Sequence, residues 1–307
     1  MLPIIYYETT VIYLDDNKKF LTLLKNSDIS KINIFSTNAE IVEKCIKKEK
    51  SNIAVTSEID IGETQERFIK YNLTNLKNRL NDSKKENEIS VMVVDYDMLT
   101  IDGLSFCKQI NKINPNIYKI FLTGAAEKDE VIEAMQERLI DFYISKSDKN
   151  LIDKLKGAVS RGKKEYFKRI CKNLYNILLN KDIYKSYIDN IKYIEFMERQ
   201  MSRESVEEYC LIEDIGSYLI KEQNKEIVII LADEEKQKGV VEYLKDMIDE
   251  KLEQEILEGS KIFDHYSLGK AKLSGYKSVM YDQYIYPYTK IIESEKLYIV
   301  IKEIKSI

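Results

Sequence analysis

Tryptophan is absent and histidine occurs once, at His265. A single histidine excludes a His-based metal cluster and a catalytic pair of histidines. Proline and glycine are scarce, at 3 and 10 of 307 residues, which excludes collagen-like and Pro/Gly-rich low-complexity chains. Four cysteines, Cys45, Cys107, Cys171 and Cys210, lie far apart with no CxxC spacing. That pattern argues against a zinc site and for reduced, mostly buried thiols in a cytoplasmic protein. Neither sign of charge dominates: Lys+Arg 48 against Asp+Glu 52 gives a net charge of −4, with no global pull toward nucleic acid or anionic membrane. Long apolar runs are missing too. Ile227–Ala232 falls far short of the ~20 residues that span a bilayer. The opening MLPIIYYETTVIYLDD lacks the basic region and cleavage site of a secretory signal. What is present is 44% hydrophobic and 33% charged residues, enough to bury cores in about two domains of roughly 150 residues each.

The first half of the chain alternates short apolar runs with helical patterns. Val11–Leu14, Ile32–Phe35, Val91–Val94, Ile117–Leu122 and Phe142–Ile144 read as buried strands, each short and bounded by polar turn residues. Helical stretches lie between them at 17–25, 38–49, 103–112 and 127–137, with another from Asn150. Regular alternation of this kind predicts a doubly wound five-stranded parallel sheet of flavodoxin-like α/β type. One stretch breaks the rhythm. Phe68, Ile69, Leu73, Leu76 and Leu80 recur at helical spacing within 63–80, predicting an inserted amphipathic helix.

Beyond Asn150 the pattern predicts one long helix to Leu178, then a second over Asp182–Met201 capped by Asp182 or Asn180. Residues 151–200 hold 12 basic and 6 acidic side chains; residues 201–307 hold 15 and 22. In the last segment Tyr209–Ile212, Ser217–Lys221 and Glu226–Leu231 read as strands, Asp233–Leu257 as one amphipathic helix, and Lys296–Ile304 as a final strand. The expected organisation is a domain over 1–160 with an insertion at about 51–89, a helical connector over 161–205, and a small, largely antiparallel α+β domain over 206–307.

Functional groups of an open parallel sheet gather at the carboxyl ends of its strands. Asp15 and Asp16 follow the first strand, Asp95 and then Asp97 the third, Thr123 the fourth, and Lys146 the fifth. Carboxylates crowded on one edge repel, and a divalent cation relieves the repulsion; hard oxygen ligands suit Mg²⁺. An Asp95 carboxylate beside such an ion and Lys146 can attack a phosphoryl donor, with Thr123 and Lys146 holding phosphoryl oxygens.

The stretches VIYLDD, VMVVDYDMLTIDG, IFLTGAA and DFYISK resemble the signature stretches of the receiver domain of two-component response regulators, in that family's order, over roughly residues 9–160. The resemblance implies Asp95 as phosphoacceptor and Asp15 and Asp16 as the acidic pair. It implies the main-chain carbonyl of Asp97 as a further Mg²⁺ ligand, Thr123 as the switch hydroxyl, Lys146 as the lysine of the site, and Tyr143 as the switch aromatic. Gly103 sits where the family turns tightly into a helix. The wider wording, from NRL to KKEYF, resembles a bacterial subfamily with no DNA-binding output. Two positions depart from the pattern: the family's usual prolines are Leu99 and Ser147 here. Gly124 replaces the commoner alanine and lets the chain approach a phosphoryl group.

Other features carry blander readings. The basic set Lys163, Lys164, Lys168, Arg169 and Lys172 reads as a solvated helix face. His265 reads as structural, and Tyr266, Tyr276, Tyr281, Tyr284, Tyr286 and Tyr288 as core packing or a pocket lining.

The expectation is a cytoplasmic, phosphorylation-controlled regulator loaded by a sensor histidine kinase, a phosphotransfer protein or a small phosphodonor. Its output passes to a C-terminal protein- or ligand-binding domain. DNA binding, membrane association and a separate C-terminal enzymatic activity are not expected, and homodimerisation stays open. The alternative is a phosphorylation-independent scaffold that uses the receiver fold for dimerisation. Asp97 adds a carboxylate beside the acceptor, so Asp97→Asn is expected to change the lifetime of the phosphorylated form. Following loss of the phosphoryl adduct by intact mass checks this, and an unchanged lifetime counts against it.

Overall fold

The computed structural model describes residues 2–50, 65–124, 128–180, 185–245, 247–264, 284–292, 294 and 296–305. The chain forms two compact units, one of residues 6–65 and 78–175, the other of residues 1–5, 66–77 and 176–307. In chain order the elements begin with β1 (Ile5–Tyr6), β2 (Thr10–Leu14), α1 (Lys18–Lys25), β3 (Asn33–Ser36), α2 (Ala39–Lys50) and α3 (Gln65–Leu80). Then come β4 (Ile89–Asp95), α4 (Gly103–Ile113), β5 (Tyr118–Thr123), α5 (Lys128–Gln136), β6 (Phe142–Ser145) and α6 (Leu151–Ile170). The remainder is α7 (Lys172–Leu178), α8 (Ile191–Met201), β7 (Val206–Leu211), β8 (Tyr218–Glu222), β9 (Lys225–Ala232), α9 (Glu234–Leu244), α10 (Glu250–Leu257), β10 (Lys261–Phe263), β11 (Ile285–Pro287), β12 (Lys290–Ile292) and β13 (Leu297–Lys305).

The first unit is built on a five-stranded sheet in the order β3-β2-β4-β5-β6, and every neighbouring pair runs parallel. This is the flavodoxin-like order expected from the βα alternation. All seven residues of β4 are buried, as a central strand covered on both faces requires. On one face Val11, Tyr13, Val91 and Val93 pack with Leu21 and Leu24 of α1 and with Leu155 and Val159 of α6.

The second unit carries a six-stranded sheet in the order β1-β7-β8-β9-β13-β12. From β7 to β12 each pairing is antiparallel, and β10 and β11 form a separate antiparallel pair. Leu73 and Leu76 of α3 are buried, and residues 66–77 of that helix belong to this unit.

Three expected helices differ in extent. The long helix from Asn150 is interrupted at Cys171, which separates α6 from α7. Among the described residues of the 182–201 pattern, the helix starts at Ile191, capped by Asn190, whose side chain accepts the N–H of Tyr193 at 3.0 Å. Before it, Tyr187 N–H bonds to Ile215 O at 2.9 Å and Ile188 O accepts from Leu2 N–H at 2.7 Å. Those backbone groups are committed to distant partners instead of a helix ladder. The cap candidate Asp182 lies outside the described residues. Over 233–257 the apolar spacing is continuous, yet the chain breaks at Lys245 and restarts at Asp249. That carboxylate accepts Leu252 N–H at 2.7 Å and caps α10.

Burial of polar groups is organised around named partners. The Glu88 carboxylate, 2% exposed, accepts from Arg79 Nη2 at 2.7 Å, from Tyr166 OH at 2.7 Å and from Tyr7 OH. Arg79 also donates to Tyr7 OH at 3.2 Å and to Asp82 at 2.6 Å. The basic set spread over α6 and the start of α7 is not a uniformly solvated face. Lys163 is buried, with Nζ 2.5 Å from Glu8 and 2.8 Å from Ser30 Oγ, and Arg169 pairs with Asp141. Cys107, Cys171 and Cys210 are buried free thiols and Cys45 is half-buried; burial pushes each of the three buried thiols up to about 12.

Lys119 of β5 is 1% exposed, and its ammonium donates to Ile117 O at 2.9 Å. Burial holds its pKa below the ordinary lysine value, against the charge of Asp141. A lysine whose folded pKa is lowered costs stability while charged. That cost is relieved as pH rises from the folded toward the unfolded pKa, where the unfolded chain holds more protons. Lys119→Met is therefore expected to stabilise the chain by roughly 1 kcal/mol near neutral pH. The advantage narrows as pH rises toward about 10, which urea denaturation across pH measures.

Candidate functional site

The site is assembled at the carboxyl ends of β2, β4, β5 and β6. Parallel register brings Asp95 opposite Leu122 and Thr123 opposite Ser145, so residues distant in sequence end on one edge. Asp15, just past β2, is 1% exposed. Its carboxylate accepts the N–H of Asn17 at 2.8 Å, and Asn17 caps α1 by accepting from Lys19 and Phe20 N–H at 3.1 and 3.2 Å. One turn thus fixes Asp15 and starts α1. Asp95 is 5% exposed and Thr123 6% exposed. The backbone of Lys146 is tied to β5, its N–H bonding to Thr123 O at 2.8 Å.

Lys146 Nζ lies 2.8 Å from Asp15 Oδ2 and 2.7 Å from Asp95 Oδ1, and 4.9 Å from the centre of the Phe20 ring. Burial disfavours the ammonium, but the contacts and charges of Asp15 and Asp95 outweigh it and hold the Lys146 pKa above the ordinary value. Burial pushes the Asp95 carboxyl up, Lys146 opposes this, and the charge of Asp15 adds to it. Asp15, Asp16 and Asp95 each offer an oxygen within 4.8 Å of the others. Asp15 Oδ2 has the ammonium as an ion pair but no aligned hydrogen bond. Three hard carboxylates that share one ammonium fit a divalent cation.

The remaining expected residues sit around this cluster. Asp97 is exposed in the loop after β4. Tyr143 on β6 pairs in register with Phe121 and is 37% exposed. Gly103 donates its N–H to Tyr96 O at 2.9 Å, and a Cβ there would lie 2.2 Å from Asp95 O and 2.8 Å from Phe121 Cε2. Only glycine brings the start of α4 so close to the acceptor strand. A Cβ at Gly124 would meet nothing within 4 Å, so no close approach in the structure requires glycine there. His265, Tyr266, Tyr276 and Tyr281 lie outside the described residues.

Contacts that sequence reasoning missed complete the picture. Asn17 and Phe20 support Asp15 and Lys146; the N-cap position of Asn17 was the readable signal. Tyr96 OH donates to Glu130 of α5. The N–H of Leu99 donates to Asp16 Oδ2 at 3.1 Å, a backbone contact that no side-chain motif announces.

Residues 35–156 match the response regulator receiver domain, and the chain carries such a domain. Among solved structures, the response regulator LqsR of Legionella pneumophila shares 21% identity over 99% of this chain and 89% of its own, with a TM-score of 0.71. The fold of both units is therefore shared with that protein. A structure described as an adenylate cyclase from Rhodopirellula baltica matches 56% of this chain and 99% of its own at 18% identity and a TM-score of 0.39. A receiver domain protein from Clostridium thermocellum matches 50% and 93% at 18% identity and a TM-score of 0.33. No curated protein matches the chain. Among the described residues no helix is long and apolar enough to cross a membrane.

The two glycines make a paired test. Gly103→Ala is expected to lower stability by about 1–3 kcal/mol through overpacking, whereas Gly124→Ala stays within ~0.5 kcal/mol of the unaltered chain. Urea midpoints of the two variants check both.

Proposed function

We propose that the chain is a phosphorylation-controlled response regulator in which Asp95 accepts a phosphoryl group. The observation that carries this reading is the ammonium of Lys146 within 2.8 Å of Asp15 and 2.7 Å of Asp95, at a cluster of three carboxylates. An Asp95 carboxylate oxygen attacks phosphorus, the new O–P bond forms, and the donor's bond to phosphorus breaks with its electron pair leaving on the donor. Lys146 holds negative charge on the acceptor carboxylate and then on the phosphoryl oxygens, and the Thr123 hydroxyl donates to one of them. Asp15, Asp16, Asp95 and the carbonyl of Asp97 would hold Mg²⁺, which supplies positive charge against the phosphoryl oxygens when bound.

The donor is a sensor histidine kinase, a phosphotransfer protein or a small phosphodonor such as acetyl phosphate. The change in charge at Asp95 biases two conformations, with Thr123 and Tyr143 as the switch residues. Output passes to the C-terminal unit, read as a protein- or ligand-binding module. Supporting this, residues 201–307 hold no Ser/His/Asp set and no glycine-rich phosphate loop. The whole acts in the cytoplasm.

Incubation of the full chain with Mg²⁺ and acetyl phosphate, followed by intact mass, is expected to give one phosphoryl adduct. The adduct is lost in Asp95→Ala and without metal. Absence of an adduct from the unaltered chain, with a histidine kinase and beryllofluoride also silent, overturns the reading.

A further inference from the structure

We propose that the backbone N–H of Leu99 is a positioning donor for Asp16, tying one carboxylate oxygen so that the other is presented to the acidic cluster. The inference rests on reading that cluster as a divalent-cation site.

The three carboxylates are held by different means. Asp15 has the Asn17 N–H at 2.8 Å and Lys146 at 2.8 Å. Asp95 has Lys146 at 2.7 Å and ends a strand that is buried throughout. Asp16 is only half-buried, and the Leu99 N–H reaches its Oδ2 at 3.1 Å. An exposed carboxylate free to rotate presents its oxygens to a cation only part of the time. A fixed donor on one oxygen removes that freedom before the ion arrives.

The loop that delivers this N–H is anchored at both ends. Tyr96 N–H bonds to Leu122 O at 3.0 Å and Gly103 N–H to Tyr96 O at 2.9 Å. The next residue outward, Asp102, caps α4 by accepting Ser105 N–H at 2.8 Å. Leu99 itself is 92% exposed, so its side chain is not what keeps the loop in place; its backbone is what reaches the site.

The residue type at 99 gains its meaning from this contact. Proline, which the family's pattern places there, has no N–H to give, and leucine has one. Position 147, the other departure from the pattern, behaves in the same way: Ser147 N–H donates to Ser145 Oγ at 3.3 Å. At both positions the chain spends a backbone donor that a proline would lack, and at 99 the acceptor is a carboxylate of the cluster.

The test compares two substitutions at one position in the full chain. Leu99→Ala keeps the N–H and removes only an exposed side chain; Leu99→Pro removes the N–H. Calorimetric titration with Mg²⁺ alone is expected to give an affinity within about twofold of the unaltered chain for Leu99→Ala and about tenfold weaker for Leu99→Pro. A metal-free measurement tests the contact directly. In ¹⁵N-leucine-labelled protein the Leu99 amide resonance is expected to move when Asp16 is changed to Ala, and an unmoved resonance overturns the proposal even if Leu99→Pro fails to fold. Equal affinities in the two Leu99 variants, or tighter binding in Leu99→Pro, overturn this proposal alone. A chain that binds no Mg²⁺ in any form overturns the cation-site reading and this proposal with it.

Discussion

Packing three carboxylates within 4.8 Å of one another against a single ammonium is the constraint on which the rest of the site depends. Two of the three are nearly sealed from water, where mutual repulsion is screened least. One Lys146 charge between Asp15 and Asp95 leaves three carboxylates facing a single ammonium. The parallel sheet is what makes the imbalance possible. Residues 15, 95 and 146 meet because β2, β4, β5 and β6 run the same way and end together. Glycine at 103 then lets α4 begin almost on top of the Asp95 carbonyl.

Much of this was legible beforehand because parallel strands announce themselves. Val91–Val94 is an apolar run closed by Asp95, and the same form recurs at Leu14–Asp15 and Leu122–Thr123. The polar residue ending each run marks the sheet edge, and that edge is the site. What was not legible depends on partners remote in sequence. The spacing over 233–257 is helical throughout, but Asp249 competes as a cap and divides it. The lysine at 163 sits in a basic run and reads as solvated until Glu8 and Ser30 surround it. The Leu99 contact with Asp16 uses a group every residue but proline possesses, so residue type alone cannot mark it.

The Glu88 network was equally hidden, and it has a different role from the carboxyl edge. At the opposite end of β4 from Asp95, Glu88 draws in Tyr7, Arg79 and Tyr166. Its charge faces a guanidinium and two hydroxyl donors, whereas the charge at Asp95 shares one ammonium with Asp15. The strand therefore has a carboxylate paired with Arg79 just before its start and one paired with Lys146 at its end. Breaking the first leaves a buried charge alone at a cost of roughly 3–5 kcal/mol, which fixes the strand on which the second is displayed.

Helix α3 gives the chain an uncommon kind of connectivity. Residues 66–77 belong to one compact unit while 78–80, in the same helix, belong to the other, and residues 1–5 are separated from 6 in the same way. The backbone thus passes between units at four points along its length. A chain whose domains follow one another like beads can be cut, swapped or recombined at a single linker. Here no single cut yields either unit whole, so engineering must treat the two units as one indivisible part.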